Sequence, residues 1–132
     1  MFAKKKQPPI RTLIGEGTVV RGELLFNDGL RIDGEVHGDV IANVSTNSIL
    51  VISEKARVVG KVRAGHVIIN GHVTGPVQSD ELLELQPKAV IAGDVKYEAL
   101  EMHQGATIEG ELHTLKAEEK PALIKLATAK AG

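Results

Sequence analysis

The chain has 132 residues, of which 42% are hydrophobic and 25% charged, and its formal net charge is −1. This composition is typical of one small globular domain, and the charge gives no indication of a nucleic-acid partner. The chain has no cysteine, which excludes a disulfide framework and thiol chemistry and suits a reducing compartment without proving one.

Residues 1–12 form a basic start that contains two prolines, and we expect them to be a flexible tail. The lysines are followed by Gln7, Pro8 and Pro9 rather than by an apolar run, so the pattern does not predict a secretory signal. No later stretch approaches the length of apolar sequence, about 18 residues, that a membrane-spanning helix needs. We therefore expect a cytoplasmic protein.

The same tail has the features of a weak membrane anchor. Phe2 can insert into a lipid surface while the three lysines meet anionic head groups, each worth about 1 kcal/mol. Many copies in a polymer would make such binding firm, at the inner face of the cytoplasmic membrane. The alternative is a solvated basic tail that only keeps the terminus soluble. The candidate membrane-binding residues are Met1, Phe2, Lys4, Lys5 and Lys6.

Six copies of one unit occupy residues 13–115, the predicted core. In each copy an anchor glycine has an apolar residue two positions before it and another two positions after it. Apolar residues at every second position indicate β-strands, because successive strand side chains point to opposite faces. The anchors are 16, 22, 15, 18 and 17 residues apart. They are Gly22, Gly38, Gly60, Gly75, Gly93 and Gly110.

A unit of about 18 residues without a helical half is too short for a propeller blade and does not fit the helical repeat families. The pattern therefore predicts an all-β fold, a single parallel β-helix (β-solenoid) of about six coils. With about 4.8 Å between coils, the rod would be roughly 29 Å long. The residue after each anchor is expected to lie in a solvated column on the outer face. This column is Glu23, Asp39, Lys61, Pro76, Asp94 and Glu111.

The units come in two kinds. Two of them carry Ile32 and Ile69 six positions before the anchor, where the others have a polar residue or proline at a corner. The same two units have Gly34 and Gly71 where the others have Thr or Ala. We interpret each glycine as room for the larger inward side chain nearby. Every unit also has an apolar residue eight positions before its anchor: Ile14, Leu30, Ile52, Val67, Leu85 and Met102.

Residues 116–132 are expected to be a second flexible tail. They are rich in charge before a short apolar run from Leu123 to Leu126. This run could be a partner-binding helix, but its brevity and the lysines around it favour a frayed tail.

Several segments resemble the bactofilins, the bacterial polymer-forming cytoskeletal proteins. They are Arg31-Ile-Asp-Gly-Glu-Val-His-Gly-Asp-Val40, Ile69-Asn-Gly-His-Val-Thr-Gly-Pro-Val77 and Ile91-Ala-Gly-Asp-Val95, together with the Met-Phe-plus-lysine start. The resemblance implies a right-handed β-helix that polymerises end to end without nucleotide. It also implies association with the membrane and a scaffold role for cell-shape, cell-wall or chromosome-positioning factors.

The ends of the predicted solenoid supply a mechanism for assembly. A solenoid ends in open strands, which natural proteins normally cover with a cap, and no strong cap is visible in this sequence. Uncapped ends can pair with another subunit. The sequence does not decide whether identical or opposite ends meet, and the resemblance favours identical ends. The alternative is a monomer whose tails fold back as caps. The candidate polymerisation residues are Ile14, Val20 and Leu24 at one end and Met102, Ile108, Leu112 and Leu115 at the other.

An enzyme is not predicted. The anchor spacings do not follow the six-residue repeat of left-handed β-helix acyltransferases, and the outward carboxylates favour a solvated face over an acid–base pair. The five histidines are not expected to converge on a metal, and no phosphate-binding fingerprint is present, so no cofactor or nucleotide is predicted. The alternative function is a non-polymerising solenoid module that binds a protein partner along its charged faces.

Overall fold

The computed structural model describes residues 7–43 and 47–115, and these residues form fifteen β-strands and no helix. The strands are β1 (Ile10–Ile14), β2 (Val19–Arg21), β3 (Leu24–Phe26), β4 (Asp28–Ile32), β5 (Glu35–His37), β6 (Val40–Ala42), β7 (Ser48–Ile52), β8 (Arg57–Val59), β9 (Val62–Ile69), β10 (His72–Thr74), β11 (Val77–Leu85), β12 (Val90–Ala92), β13 (Val95–Met102), β14 (Thr107–Glu109) and β15 (Leu112–Thr114).

The strands stack into six coils with three faces, and every strand pair is parallel. The first face contains β1, β4, β7 and the second halves of β9, β11 and β13. The second face contains β2, β5, β8, β10, β12 and β14. The third face contains β3, β6, the first halves of β9, β11 and β13, and β15. The predicted all-β solenoid of about six coils is confirmed.

Branched aliphatic side chains fill the interior, as the near absence of aromatic residues requires. On the second face, Val36, Val58, Val73 and Ile91 lie directly above one another and are fully buried. Each is the apolar residue two positions before its anchor glycine. The anchor rule therefore identified this column of the core correctly.

The first face is in a different register from the one that counting back from the anchors predicts. Ile14 pairs with Ile32, and Ile52 pairs with Ile69, so the expected equivalence of Leu30 and Val67 with Ile14 is wrong. The second and fourth coils have a corner between the first and second faces that is shorter by two residues. The observed column is Ile14, Ile32, Ile52, Ile69, Leu85 and Met102.

Glycine is required at the short corners by the approach of another backbone. A Cβ on Gly34 would lie 2.4 Å from the carbonyl oxygen of Gly15 and 2.5 Å from that of Thr18. A Cβ on Gly71 would lie 2.2 Å from the carbonyl oxygen of Ser53. Each short corner thus nests against the long corner of the preceding coil. The interpretation that these glycines make room for a large inward side chain is wrong.

Residues 7–9 run along the side of the rod, and we call them the N-terminal strap. A Cβ on Gly29 would lie 2.3 Å from the carbonyl oxygen of Pro9, and the side-chain amide of Gln7 lies 3.0 Å from Nδ1 of His66. Ile49 pairs with both Gly29 and His66. Ile49 precedes the inward-facing Leu50 in β7, so its own side chain points outward. It is nevertheless only 5% exposed, because the N-terminal strap passes over it. The strap and the start of β1 therefore include residues of the range expected to be a tail.

Candidate functional site

The two ends of the rod leave strand edges open within the described ranges 7–43 and 47–115. At one end β1, β2 and β3 pair only with strands of the second coil. At the other end β14 and the second half of β13 pair, among the described strands, only with strands of the fifth coil. Each end thus presents a row of backbone N–H and C=O groups that can pair with another chain.

The core columns lose their cover at both ends. Leu85 and Ile91 in the fifth coil are fully buried, whereas Met102, which pairs with Leu85, is 42% exposed. At the other end, Val36 is fully buried and its partner Val20 is only partly buried. The apolar interior therefore reaches both ends of the rod, and the described residues form no cap over it.

The residues expected to form the polymerisation interface lie at the two ends of the rod, but their exposure differs. Leu112 is only 4% exposed, because it packs in the last coil of the core. A charge at Leu112 would disturb folding as well as any contact between subunits. The partly buried members are Ile14, Val20, Leu24, Ile108 and Leu115, and Met102 is exposed.

The first coil also exposes apolar side chains on its outer faces, which the sequence reasoning missed. Leu25 is 71% exposed and Leu13 58% exposed. The counting rule sought apolar residues at inward positions only, so outward ones gave no signal. An apolar residue at an outward strand position is the signal that could have revealed them. We call this set the apolar collar: Ile10, Leu13, Val19 and Leu25.

The last coil has no matching collar. On the first face, the position equivalent to Leu13 in the last coil is Glu101. On the third face, the position equivalent to Leu25 is His113. The two ends therefore share an apolar interior but differ in the chemistry of their outer rims.

The acidic residues that follow the anchor glycines tie neighbouring coils together. Oδ1 of Asp39 accepts a hydrogen bond from the backbone N–H of Lys61 at 2.9 Å, and Oδ1 of Asp94 accepts one from Glu111 at 2.8 Å. The side-chain oxygen of Asn70 does the same for the N–H of Lys88, at 2.9 Å. These side chains have a structural role at the corners.

One cluster of metal-ligating side chains occurs in the part of the chain that the structure describes. Ligand atoms of Asp94, Glu111 and His113 lie within 4.8 Å of one another. His113 thus joins two carboxylates, although the histidines were not expected to converge. Nε2 of His113 already lies 3.1 Å from Glu111, and both carboxylates are exposed. The arrangement is a surface ion pair beside a corner tie.

A groove of about 540 Å³ lies beside the corners between the first and second faces. At its wall the Ser53 hydroxyl donates a hydrogen bond to the Asp33 carboxylate, and Nε of Arg31 donates another at 3.0 Å. The Ser53 bond, followed by the Arg31 contact, lowers the pKa of Asp33 despite its partial burial. These groups hydrogen-bond to one another at the wall of the groove.

A second corner contact joins the third and fifth coils. Nζ of Lys88 lies 2.7 Å from the carboxylate of Glu54, and this hydrogen bond raises the pKa of Lys88 and lowers that of Glu54. Both side chains are exposed, so the contact contributes little to stability.

The candidate membrane-binding residues Met1, Phe2, Lys4, Lys5 and Lys6 lie outside the described residues. Among the residues that the structure describes, no helix has the length and hydropathy needed to cross a membrane.

Comparison with known proteins gives a consistent result. The family model Bactofilin, described as polymer-forming cytoskeletal, matches residues 12–113. Bactofilin BacO of Myxococcus xanthus is 26% identical over 111 residues, which cover 84% of this chain and 85% of BacO. Bactofilin BacP of the same organism is 22% identical over 120 residues, and the match spans 86% of this chain but 48% of BacP. No solved structure gave a significant match.

Proposed function

Because the chain belongs to the bactofilin family of polymer-forming cytoskeletal proteins, we propose that it assembles end to end into filaments without nucleotide and acts as a scaffold. The observation that carries the proposal is the loss of cover at both ends of the rod. The core columns of the first and second faces are fully buried in the inner coils and partly exposed in the first and last coils, and the column of the third face is partly exposed in the first coil.

Stacking a second copy on either end would bury these side chains and pair the open strands. Val20 and Ile108 are each partly exposed where their inner neighbours are buried. Completing the burial of one such side chain is worth about 1 kcal/mol, because full burial of Val or Ile is worth about 1.5–3 kcal/mol. Several such side chains and the open strand edges at each end together favour a specific contact.

The outer rims of the rod support contacts between identical ends. If opposite ends met, Leu13 of one subunit would lie next to Glu101 of the other, in the same outward column. Leu25 would likewise lie next to His113. Contacts between two first coils would instead bring apolar collars together. Each contact would then be isologous and the filament would have no polarity.

We further propose that the N-terminus binds the inner face of the cytoplasmic membrane. Gln7 lies beside His66 on the fourth coil, so the residues joined to Gln7 start from the side of the rod, away from both ends. Lipid contact and assembly therefore do not compete for the same surface. Each of Lys4, Lys5 and Lys6 would add about 1 kcal/mol, and copies along a filament would act together. Such filaments would position cell-shape, cell-wall or chromosome-organising factors.

Negative-stain electron microscopy of the purified chain, without nucleotide or metal, tests the assembly. Filaments are expected for the full chain and for a variant that lacks residues 1–6, because the strap begins at residue 7. Uniform small particles at high concentration would contradict assembly and favour a module that binds a protein partner along its charged faces. Sedimentation with anionic vesicles, compared between the same two proteins, tests the membrane contact separately.

A further inference from the structure

Part of the apolar collar lies beside a groove on the third face, at the first and second coils. Leu25 is 71% exposed on the third face, and it adjoins Phe26 and Ile41, which are partly buried. The groove they line has a volume of about 340 Å³. We call it the Leu25 groove.

We propose that the run from Leu123 to Leu126 of the same chain, which is apolar except for Lys125, docks in the Leu25 groove. This inference does not depend on polymerisation. The last described residue, Leu115, follows β15 on the third face of the sixth coil. The Leu25 groove is on the same face, at the first and second coils.

The length of the intervening chain fits this path. Five coil steps separate the sixth coil from the first, which is about 24 Å at 4.8 Å per step. Leu123 is eight residues after Leu115, and eight extended residues reach about 26 Å. An extended segment that runs straight back along the third face therefore brings Leu123 and Ile124 to Leu25.

The charges along the path complement the segment. The outward column of the third face, read from the last coil to the first, is His113, Lys96, Gln78, Arg63, Ile41 and Leu25. This column is basic and polar near the last coil and apolar at the first two coils. The segment is likewise charged near Leu115 and apolar further along. Glu118 and Glu119 would lie about 10–13 Å along the path, between Lys96 and Arg63, whereas the flanking Lys116 and Lys120 would lie outside this stretch, at about 3 and 17 Å. Arg63 already contacts Asp80 at 3.3 Å, so the exposed Lys96 is the main attraction.

The absence of cysteine from the chain allows a direct test by cross-linking. The double variant Leu25→Cys with Ile124→Cys places one cysteine in the groove and one in the segment. The matched control is Val90→Cys with Ile124→Cys. Val90 is also exposed, but it lies on the second face of the fifth coil, nearer to the start of the segment. A segment that is not docked would therefore react faster with position 90 than with position 25.

With a short bismaleimide, we expect the Leu25 pair to form an internal cross-link several-fold faster than the Val90 pair. Diluting the variant into excess cysteine-free chain should leave this rate unchanged. Equal rates, or a faster reaction at position 90, would overturn the proposal. Cross-links that form mainly between chains and disappear on dilution would assign the groove to a neighbouring subunit and also overturn it.

A charge variant provides an independent measurement. Lys96→Glu should slow the internal cross-link at position 25 several-fold, because it removes the attraction for Glu118 and Glu119. Lys61→Glu is the matched control, since Lys61 is exposed at a corner away from the path. Equal effects of the two substitutions would contradict the proposed route of the segment.

Discussion

The side-chain amide of Gln7 lies 3.0 Å from Nδ1 of His66, although 59 residues separate them in the chain. The amide nitrogen donates to Nδ1 when the ring proton is on Nε2, and Nε2 lies 3.9 Å from a carboxylate oxygen of Glu84. This contact holds the N-terminal strap over Ile49. The strap thus covers an apolar side chain that would otherwise face water.

Gln7→Ala should lower the free energy of unfolding by about 0.5–1.5 kcal/mol, because it removes one hydrogen bond of the strap. The measurement is urea unfolding in a background that carries both Ile14→Arg and Met102→Arg, so that contacts at neither end contribute. Gln104→Ala is the matched control, since Gln104 is exposed in a turn. Equal stabilities of the two variants would show that the strap contact has no energetic role.

Met102→Arg should prevent long filaments while leaving the β-rich circular dichroism spectrum unchanged. Met102 is 42% exposed at the end of a core column, so a charge there stays solvated in the free subunit but is buried unpaired in a stacked one. Electron microscopy and sedimentation velocity are the measurements. Glu101→Arg, the outward neighbour in the same strand, should retain filaments. Filaments of normal length from Met102→Arg would place the contact elsewhere.

Blocking one end at a time distinguishes the two possible polarities. If identical ends meet, Met102→Arg subunits still pair through their first coils, and Ile14→Arg subunits through their last coils, so each variant alone gives dimers. If opposite ends meet, each variant alone is a monomer and only their mixture gives dimers. Sedimentation equilibrium of both variants and of the equimolar mixture separates these cases, and we expect dimers from each variant alone.

Gly71→Ala should lower the free energy of unfolding by about 2–4 kcal/mol. The added Cβ would lie 2.2 Å from the carbonyl oxygen of Ser53, a backbone atom that cannot move aside without shifting the long corner. Gly15→Ala is the control, because nothing lies within 4 Å of a Cβ at that position. Chemical denaturation measures both, and a comparable loss in the two variants would contradict the nesting of the corners.

Alkaline titration should find the pKa of Tyr97 above its ordinary value of 10.0, since burial raises it. A raised pKa in the folded state means that the folded protein favours the neutral phenol. This contribution to stability is complete below pH 10 and is lost as the pH rises through the folded-state pKa. Tyr97 is the only tyrosine and the chain has no tryptophan, so tyrosinate absorbance reports this group alone. Titration at or below 10 in the native protein would contradict the effect of burial.

The columns beside the anchor glycines could be predicted from the sequence because the corner between the second and third faces has a constant length. Val20 and Ile108 were identified in this way. The first face could not be aligned by counting, since the other corner varies by two residues and shifts Leu30 away from Ile14. Only the pairing of Ile32 with Ile14 reveals the shift.

The strap and the collar were missed for a different reason. Pro8 and Pro9 favour a tail when read locally, and the strap is stabilised by residues of the second, third and fourth coils. Gly29 at an outward position and the apolar Ile49 were the available signals. Each indicates a backbone or side chain passing over the outer face, but neither says which segment does so.

The nesting of short corners against long ones has an evolutionary consequence. A coil with a short corner fits only on a long-cornered predecessor, whereas the sixth coil shows that a long corner can follow another long corner. A duplication that copied one short-cornered coil would place two short corners together and lose the nest. Rods of this type should therefore lengthen by duplication of a long-cornered coil together with the short-cornered coil that follows it, or by duplication of single long-cornered coils.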